Sequence, residues 1–325
     1  MRKYVLAAIA AVTLALAGAA FGAWTYEGKW GSYGTGNGQF DHPSGIAAAP
    51  SNSRVYVVDS WNHRVQYFTA TGSYLGKWGS NGSGNGQFDH PNAIAVAPGG
   101  TFYVVDAGNS RIQYFTATGS YLGKWGTPGT GNGQFNLVVG VAVAPSGNVY
   151  VADTIANRIQ YFTATGSYLG QWGWSGSGYG QFDGPLGVAV APSSGIVYVT
   201  DSSNSRVQYF NAVGDYLGAW GSSGSGNGQF DSPYGVDVAL DANVYVSDSG
   251  NNRVQYFNAA GSYLGKWGSS GSGNGEFINP TGLCLNVTGS RLYVADNENQ
   301  RIQYFNRNMP AVEPASLGRV KALFK

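Results

Sequence analysis

The chain has 325 residues, of which 51 are glycine, 14% are aromatic and only 11% are charged, and its formal net charge is +1. A balance this close to neutral excludes the basic footprint of a nucleic-acid binder and gives no sign of a trap for charged substrates. Cys284 is the only cysteine, so no internal disulfide can form and the chain must hold by packing. The glycine and aromatic content suits an all-β protein with many tight turns and large packing side chains.

In chain order, residues 1–23 have the pattern of an export leader. Arg2 and Lys3 precede the Ala/Leu-rich run from Val5 to Ala20, and small-x-small cleavage sites follow up to Ala23. A permanent anchor is the weaker alternative, because the run is short and rich in alanine. Losing Arg2 and Lys3 takes the formal charge to −1. The expected mature chain is exported, either secreted or periplasmic, and has no membrane span.

From residue 24 to 306 the sequence repeats six times with a period of 47 or 48. Trp30, Trp78, Trp125, Trp172, Trp220 and Trp267 mark the period, as do six aspartates (Asp59, Asp106, Asp153, Asp201, Asp248, Asp296). Each aspartate is followed five residues later by an arginine, from Arg64 to Arg301. The second repeat shows the unit. Ile94–Ala97, Phe102–Asp106, Arg111–Phe115 and Tyr121–Trp125 are four short apolar runs, strands a to d, separated by turn residues. Four strands in a period in the forties predict a propeller blade. The last repeat stops after its third strand at Tyr304-Phe305, while an unmatched fourth strand, Tyr26 to Trp30, opens the first. The predicted fold is therefore an all-β, six-bladed β-propeller of four-stranded antiparallel blades. Its N-terminal strand completes the last blade and removes the open edge.

Pro-x-Gly-Ile/Val-Ala-Val-Ala-Pro, then Val-Tyr-Val-x-Asp-Ser-x-Asn-x-Arg-Ile/Val-Gln-Tyr-Phe, then Gly-x-Tyr-Leu-Gly-x-Trp-Gly recur through residues 24–306. This pattern resembles the NHL repeat. The resemblance implies a six-bladed propeller and a family that includes binding platforms for proteins or RNA, extracellular sensors and a metal-dependent lyase branch. Export and the lack of a basic stripe disfavour RNA. In the tail, residues 307–325, Val312-Glu313-Pro314-Ala315-Ser316-Leu317 resembles the start of a PEP-CTERM sorting signal, which implies an exported protein of a Gram-negative bacterium. The tail departs from that signal, because Gly318 to Lys325 is short and contains Arg319 and Lys321 where an apolar span would follow.

Six equivalent acids cannot serve one pocket, so the Asp/Arg pairs are expected to brace blade corners rather than to catalyse. Gly82-Ser83-Gly84-Asn85-Gly86-Gln87-Phe88 lacks the lysine and the strand–loop–helix setting of a phosphate loop, and reads as a blade-to-blade link with its Phe plugged between blades. His42 and His90 share a position in two blades and His63 lies in a neighbouring loop. A metal would need three or four convergent ligands, so a zinc or calcium ion at these histidines is the weaker reading and no cofactor is expected. Asp237 and Cys284 stand where strand a elsewhere has Ala47, Ala95, Ala142 and Ala189, and are expected in the channel.

The b–c loops and the blade-to-blade linkers vary while the c–d links stay nearly constant, and the two variable sets should share a face. Their departures are large or charged: Tyr33, Trp61, Leu137, Ile155, Trp174, Tyr179, Leu186, Tyr234 and Glu298. Exposed Trp and Tyr among Ser, Asn and Gly suggest a recognition surface for a protein, cell-envelope or polysaccharide partner. The alternative is a metal-dependent lyase- or lactonase-like enzyme with its site at the channel mouth. A monomer is expected.

Overall fold

The computed structural model describes residues 23–49 and 53–308; nearly all of the segment expected to be a leader, and most of the tail with its resemblance to a sorting signal, lie outside the described residues. Six separate four-stranded antiparallel sheets form the six blades, with two single-turn 3-10 segments as the only helical residues described. No helix among the described residues is long and apolar enough to cross a membrane.

In blade 1 the strands are Pro43–Ala48, Arg54–Asp59, Arg64–Thr69 and Tyr74–Trp78, paired in chain order. The next four blades repeat this order. The six a strands contact one another and form the innermost ring. Strand b is buried along its whole length in blades 2 to 5, and beyond its half-buried first arginine in blades 1 and 6, as its apolar run requires of a sheet covered on both faces. Blade 6 takes Pro280–Leu285, Arg291–Asp296 and Arg301–Arg307 from the end of the repeat region and Trp24–Trp30 from its start. Trp24 stands opposite Arg307 and Trp30 opposite Ile302. Ring closure by the N-terminal strand is thus as the sequence predicts, and the strand starts two residues earlier than Tyr26.

Aromatic residues join the blades. The marker tryptophan of each strand d lies 5.5–6.0 Å from a Phe of the next blade, as in Trp30–Phe68 and Trp78–Phe115. Tyr56 donates its hydroxyl to Ala117 O in the next blade's c–d turn, and four other strand b tyrosines do the same. The exception is Tyr245 at the 5/6 seam. Strand d of blade 6 comes from the other end of the repeat region, so no c–d turn exists there to receive the hydroxyl. Trp24 packs edge-on against that ring at 5.4 Å instead.

Each b–c corner is a closed polar network. In blade 1, Asp59 is fully buried and accepts from Arg64 Nε (2.6 Å), Gln66 Nε2 (3.0 Å), Asn62 Nδ2 (3.0 Å) and the Asp41 N–H (2.8 Å). The Arg64 guanidinium also donates to the Thr35, Gly36 and Gln39 carbonyls, fixing the incoming linker. The Arg Nε–Asp contact recurs in all six blades at 2.6–2.8 Å. These are buried, charge-assisted bonds with every guanidinium nitrogen engaged, so they brace the fold. The linker glycines belong to the same construction: Gly38 N–H donates to Gln66 Oε1, and Phe40 is fully buried against Phe68.

Candidate binding face and channel

The b–c loops and the linkers do share one face, because they bond to each other. Trp61 N–H donates to Asp41 O and Asn62 Nδ2 to Gly34 O, and the same contacts recur in other blades. Four aromatic side chains are exposed among the described residues: Tyr33 (70%), Trp61 (56%), Trp174 (57%) and Tyr179 (78%). All four lie in these loops. Ile155, Leu137 and Glu298 are exposed there too. Trp61 stacks on the His42 ring at 4.5 Å and 22°. Tyr179 stacks on Tyr216 of strand d, so it belongs to the outer edge rather than to the ground around the channel.

None of the twelve loop and linker segments on this face contains Lys or Arg outside the buried corner arginines, whereas they hold Asp41, Asp89, Asp183, Asp231, Glu276 and Glu298. The near-zero net charge conceals this separation. Lys29, Lys77, Lys124 and Lys266 sit on the outermost strands instead.

Two residues expected on the rim are in the channel. Leu186 and Tyr234 follow the first residue of strand a, and with Ser44, Asn92, Val139 and Thr281 they occupy one position in six blades. The Tyr234 hydroxyl crosses from blade 5 to blade 2 and donates to Asn92 Oδ1 at 2.8 Å. Burial pushes the Tyr234 phenol up to about 12, with the Asn92 bond opposing. Ser44 Oγ donates to Asn92 O, and Thr281 Oγ1 lies 3.3 Å from Ser44 O. These bonds run between strand a starts at the end of the channel nearer the variable face, where a pocket of about 70 Å³ adjoins them. On the other side the channel opens into a vestibule of about 430 Å³ walled by Ile, Val, Ala and Pro side chains.

Asp237 and Cys284 line that vestibule. Asp237 Oδ1 accepts the Val238 N–H (2.8 Å), and Oδ2 accepts the Leu285 N–H of the next blade (2.7 Å). The carboxylate therefore ties the inner edges of two a strands together. Burial raises its pKa from 3.8 to about 6, against the pull of those two amides. Burial also pushes the Cys284 thiol well up, and the neighbouring Asp237 charge adds to it. Neither group meets a base, so the pair is not a nucleophilic set.

A raised acid pKa makes a pH prediction. Between about pH 4 and 6 the folded chain keeps a proton that the unfolded chain has released, so stability declines as pH rises and the full cost is present above pH 6. The shift corresponds to about 3 kcal/mol, with the opposing pull of the two amides already included. Asp237→Ala, the residue of four other blades, is expected to raise the Tm by several degrees at pH 7.5 and to match the parent at pH 4. A variant that melts lower at pH 7.5, or equally higher at both pH values, contradicts this account.

The histidines divide. His63 and His90 come together with Asp89. His42 stays apart from them, stacked on the Trp61 indole that meets His90 edge-on, and bonded through Nδ1 to Asp41 Oδ1 at 2.7 Å. Position in the repeat would have paired His42 with His90; the linker instead folds onto the preceding b–c loop and brings in His63. Asp89, which precedes His90 in the linker, is not among the residues that the sequence singles out.

Ring, blade order and corner networks define a six-bladed β-propeller. The family model described as the NHL repeat matches residues 40–68, 88–115, 182–210 and 277–305. The chain is an NHL-repeat β-propeller. Among curated proteins no sequence match is found. Solved structures similar to it include a structural genomics protein of unknown function from Bacteroides thetaiotaomicron (19% identity, TM-score 0.69, 88% of this chain and 76% of that one). Others are a virginiamycin B lyase from Staphylococcus aureus (12%, 0.59, 87% and 99%) and a gluconolactonase from Xanthomonas campestris (15%, 0.63, 83% and 88%). At such identities the likeness shows the fold alone.

Proposed function

We propose that this propeller is an exported binding module of the Gram-negative cell envelope that holds a neutral, hydroxyl-rich polysaccharide on its linker and b–c loop face. The observation that carries the reading is that the four exposed aromatic side chains among the described residues all lie on the one face whose loops offer carboxylate and amide groups but no free cation. Flat rings stack on the apolar faces of sugars, and carboxylates and amides take up their hydroxyl groups. A polyanion would be repelled. The loops are clamped by buried arginines, so little ordering is needed on binding. A protein partner at the same rings is the second reading, supported by the enrichment of Trp and Tyr at protein interfaces.

Affinity electrophoresis through gels carrying xylan, galactomannan or mixed-linkage glucan tests the reading. At least one of these neutral polymers is expected to retard the protein. Trp61→Ala and Trp174→Ala should each weaken the retardation about tenfold, with the Tm unchanged. No retardation by any of the three, or retardation indifferent to both substitutions, would refute it.

A further inference from the structure

The corner between blades 1 and 2 carries a donor set found at no other corner. His63 ends the b–c loop of blade 1, while Asp89 and His90 end the linker into blade 2. Each offers one ligand atom, and these atoms lie within 4.8 Å of one another. Asp89 Oδ1 is 2.7 Å from His90 Nδ1 and 3.9 Å from His63 Nδ1. The two imidazoles stand 4.7 Å apart at 72°.

The repeat itself supplies the control. At the corner between blades 6 and 1 the corresponding residues are Gln300, Asp41 and His42. There the Gln300 Oε1 accepts the His42 N–H at 2.7 Å. Asn157 and Asn252 accept the corresponding N–H of Gly184 and Asn279. At the 1/2 corner His63 Nδ1 takes that bond, at 3.1 Å. At the other two corners Ser110 and Ser205 hold this position and take no such bond, so the fold does not depend on an acceptor here, and where one is used an amide serves. An imidazole beside a second imidazole and a carboxylate exceeds what the backbone requires.

We propose that His63, Asp89 and His90 bind a late first-row divalent ion of the zinc type, with its remaining positions open to solvent. Two imidazoles and one carboxylate match the nitrogen and oxygen donors that zinc accepts, whereas magnesium and calcium want oxygen alone. Zinc bonds of about 2.0–2.2 Å place ligand atoms roughly 3.3 Å apart, so the widest of these separations must close by up to about 1.5 Å. Side chains that can turn are present. Those of Asp89 and His90 are 41% and 54% exposed, while that of His63 is held at 14%. An ion on His63 Nδ1 takes the place of the His90 N–H. The proton of His63 then sits on Nε2, which lies 3.2 Å from the Asn81 side-chain amide. Turned to present its oxygen, that amide gives the outer hydrogen bond that metal-bound imidazoles use. The loops of this face contribute acids and no free cation, which raises the local concentration of divalent ions.

The test is isothermal titration of zinc chloride into untagged, chelator-treated full-length protein. One equivalent is expected to bind. His63→Gln turns this corner into a copy of the Gln300 corner, which the fold already contains, so its Tm should not change. Its zinc affinity should fall by more than the roughly tenfold that loss of an outer partner costs. Asp89→Asn should weaken binding as well, and His42→Gln should leave it as in the parent. The proposal is overturned if the parent takes up no stoichiometric zinc, if His63→Gln binds like the parent, or if His42→Gln weakens binding as much as His63→Gln.

Discussion

Asp248→Ala is expected to lower the unfolding free energy by about 3–5 kcal/mol in urea titration, a large share of a domain's total. Asp248 is fully buried and accepts from Arg253 Nε at 2.6 Å, Gln255 Nε2 and Asn251 Nδ2 at 3.0 Å, and the Asp231 N–H at 2.8 Å. Its loss leaves a buried guanidinium without its counter-charge and strands three further donors. The carbonyls of Ser225, Gly226 and Gln229 still hold the arginine in place, so it cannot swing out to water without releasing the linker. Asp248→Ala/Arg253→Met should therefore cost less than Asp248→Ala alone, since no uncompensated charge stays buried. A single mutant within 1 kcal/mol of the parent would mean that the corner is not the brace described above.

Removing Trp24–Trp30 should do more damage still. The deletion bares strand Arg301–Arg307 along its full edge and strips Trp30 from Phe68 (5.6 Å) and Trp24 from Trp267 (stacked at 5.6 Å). Taking a single packed tryptophan to alanine costs about 3–5 kcal/mol, and this removes two together with a whole ladder. A Tm lower by more than about 10 °C is expected, along with dimers or larger species in size-exclusion chromatography as the bare edge pairs with another copy. A cooperative monomer melting within 2 °C of the parent would contradict the closure.

Legibility in the sequence followed repetition. The strands, the corners and the closing strand each leave a signal that recurs, or that is missing once, against five other copies. Residues whose role depends on distance across the ring leave no such signal. Tyr234 looked like a rim aromatic because its neighbours in sequence are loop residues; its partner Asn92 is 142 residues away, on the facing blade. Asp237 and Cys284 stood out because alanine fills the same position in the four other blades. The His63–His90 contact was obscured by the repeat itself. Comparing equivalent positions pairs His42 with His90, whereas the linker folds back onto the loop of the blade it leaves.

The pairing of Trp24 with Arg307 has a mechanical consequence. A pull applied through these two residues acts at one end of a single antiparallel ladder and opens it bond after bond, instead of loading all its bonds in shear. Such a seam yields at low force, with a lifetime set by the rate of unzipping rather than by the stability of the ring. Tethered by both ends to moving surfaces, the propeller would open at its seam while the five other blades kept their form.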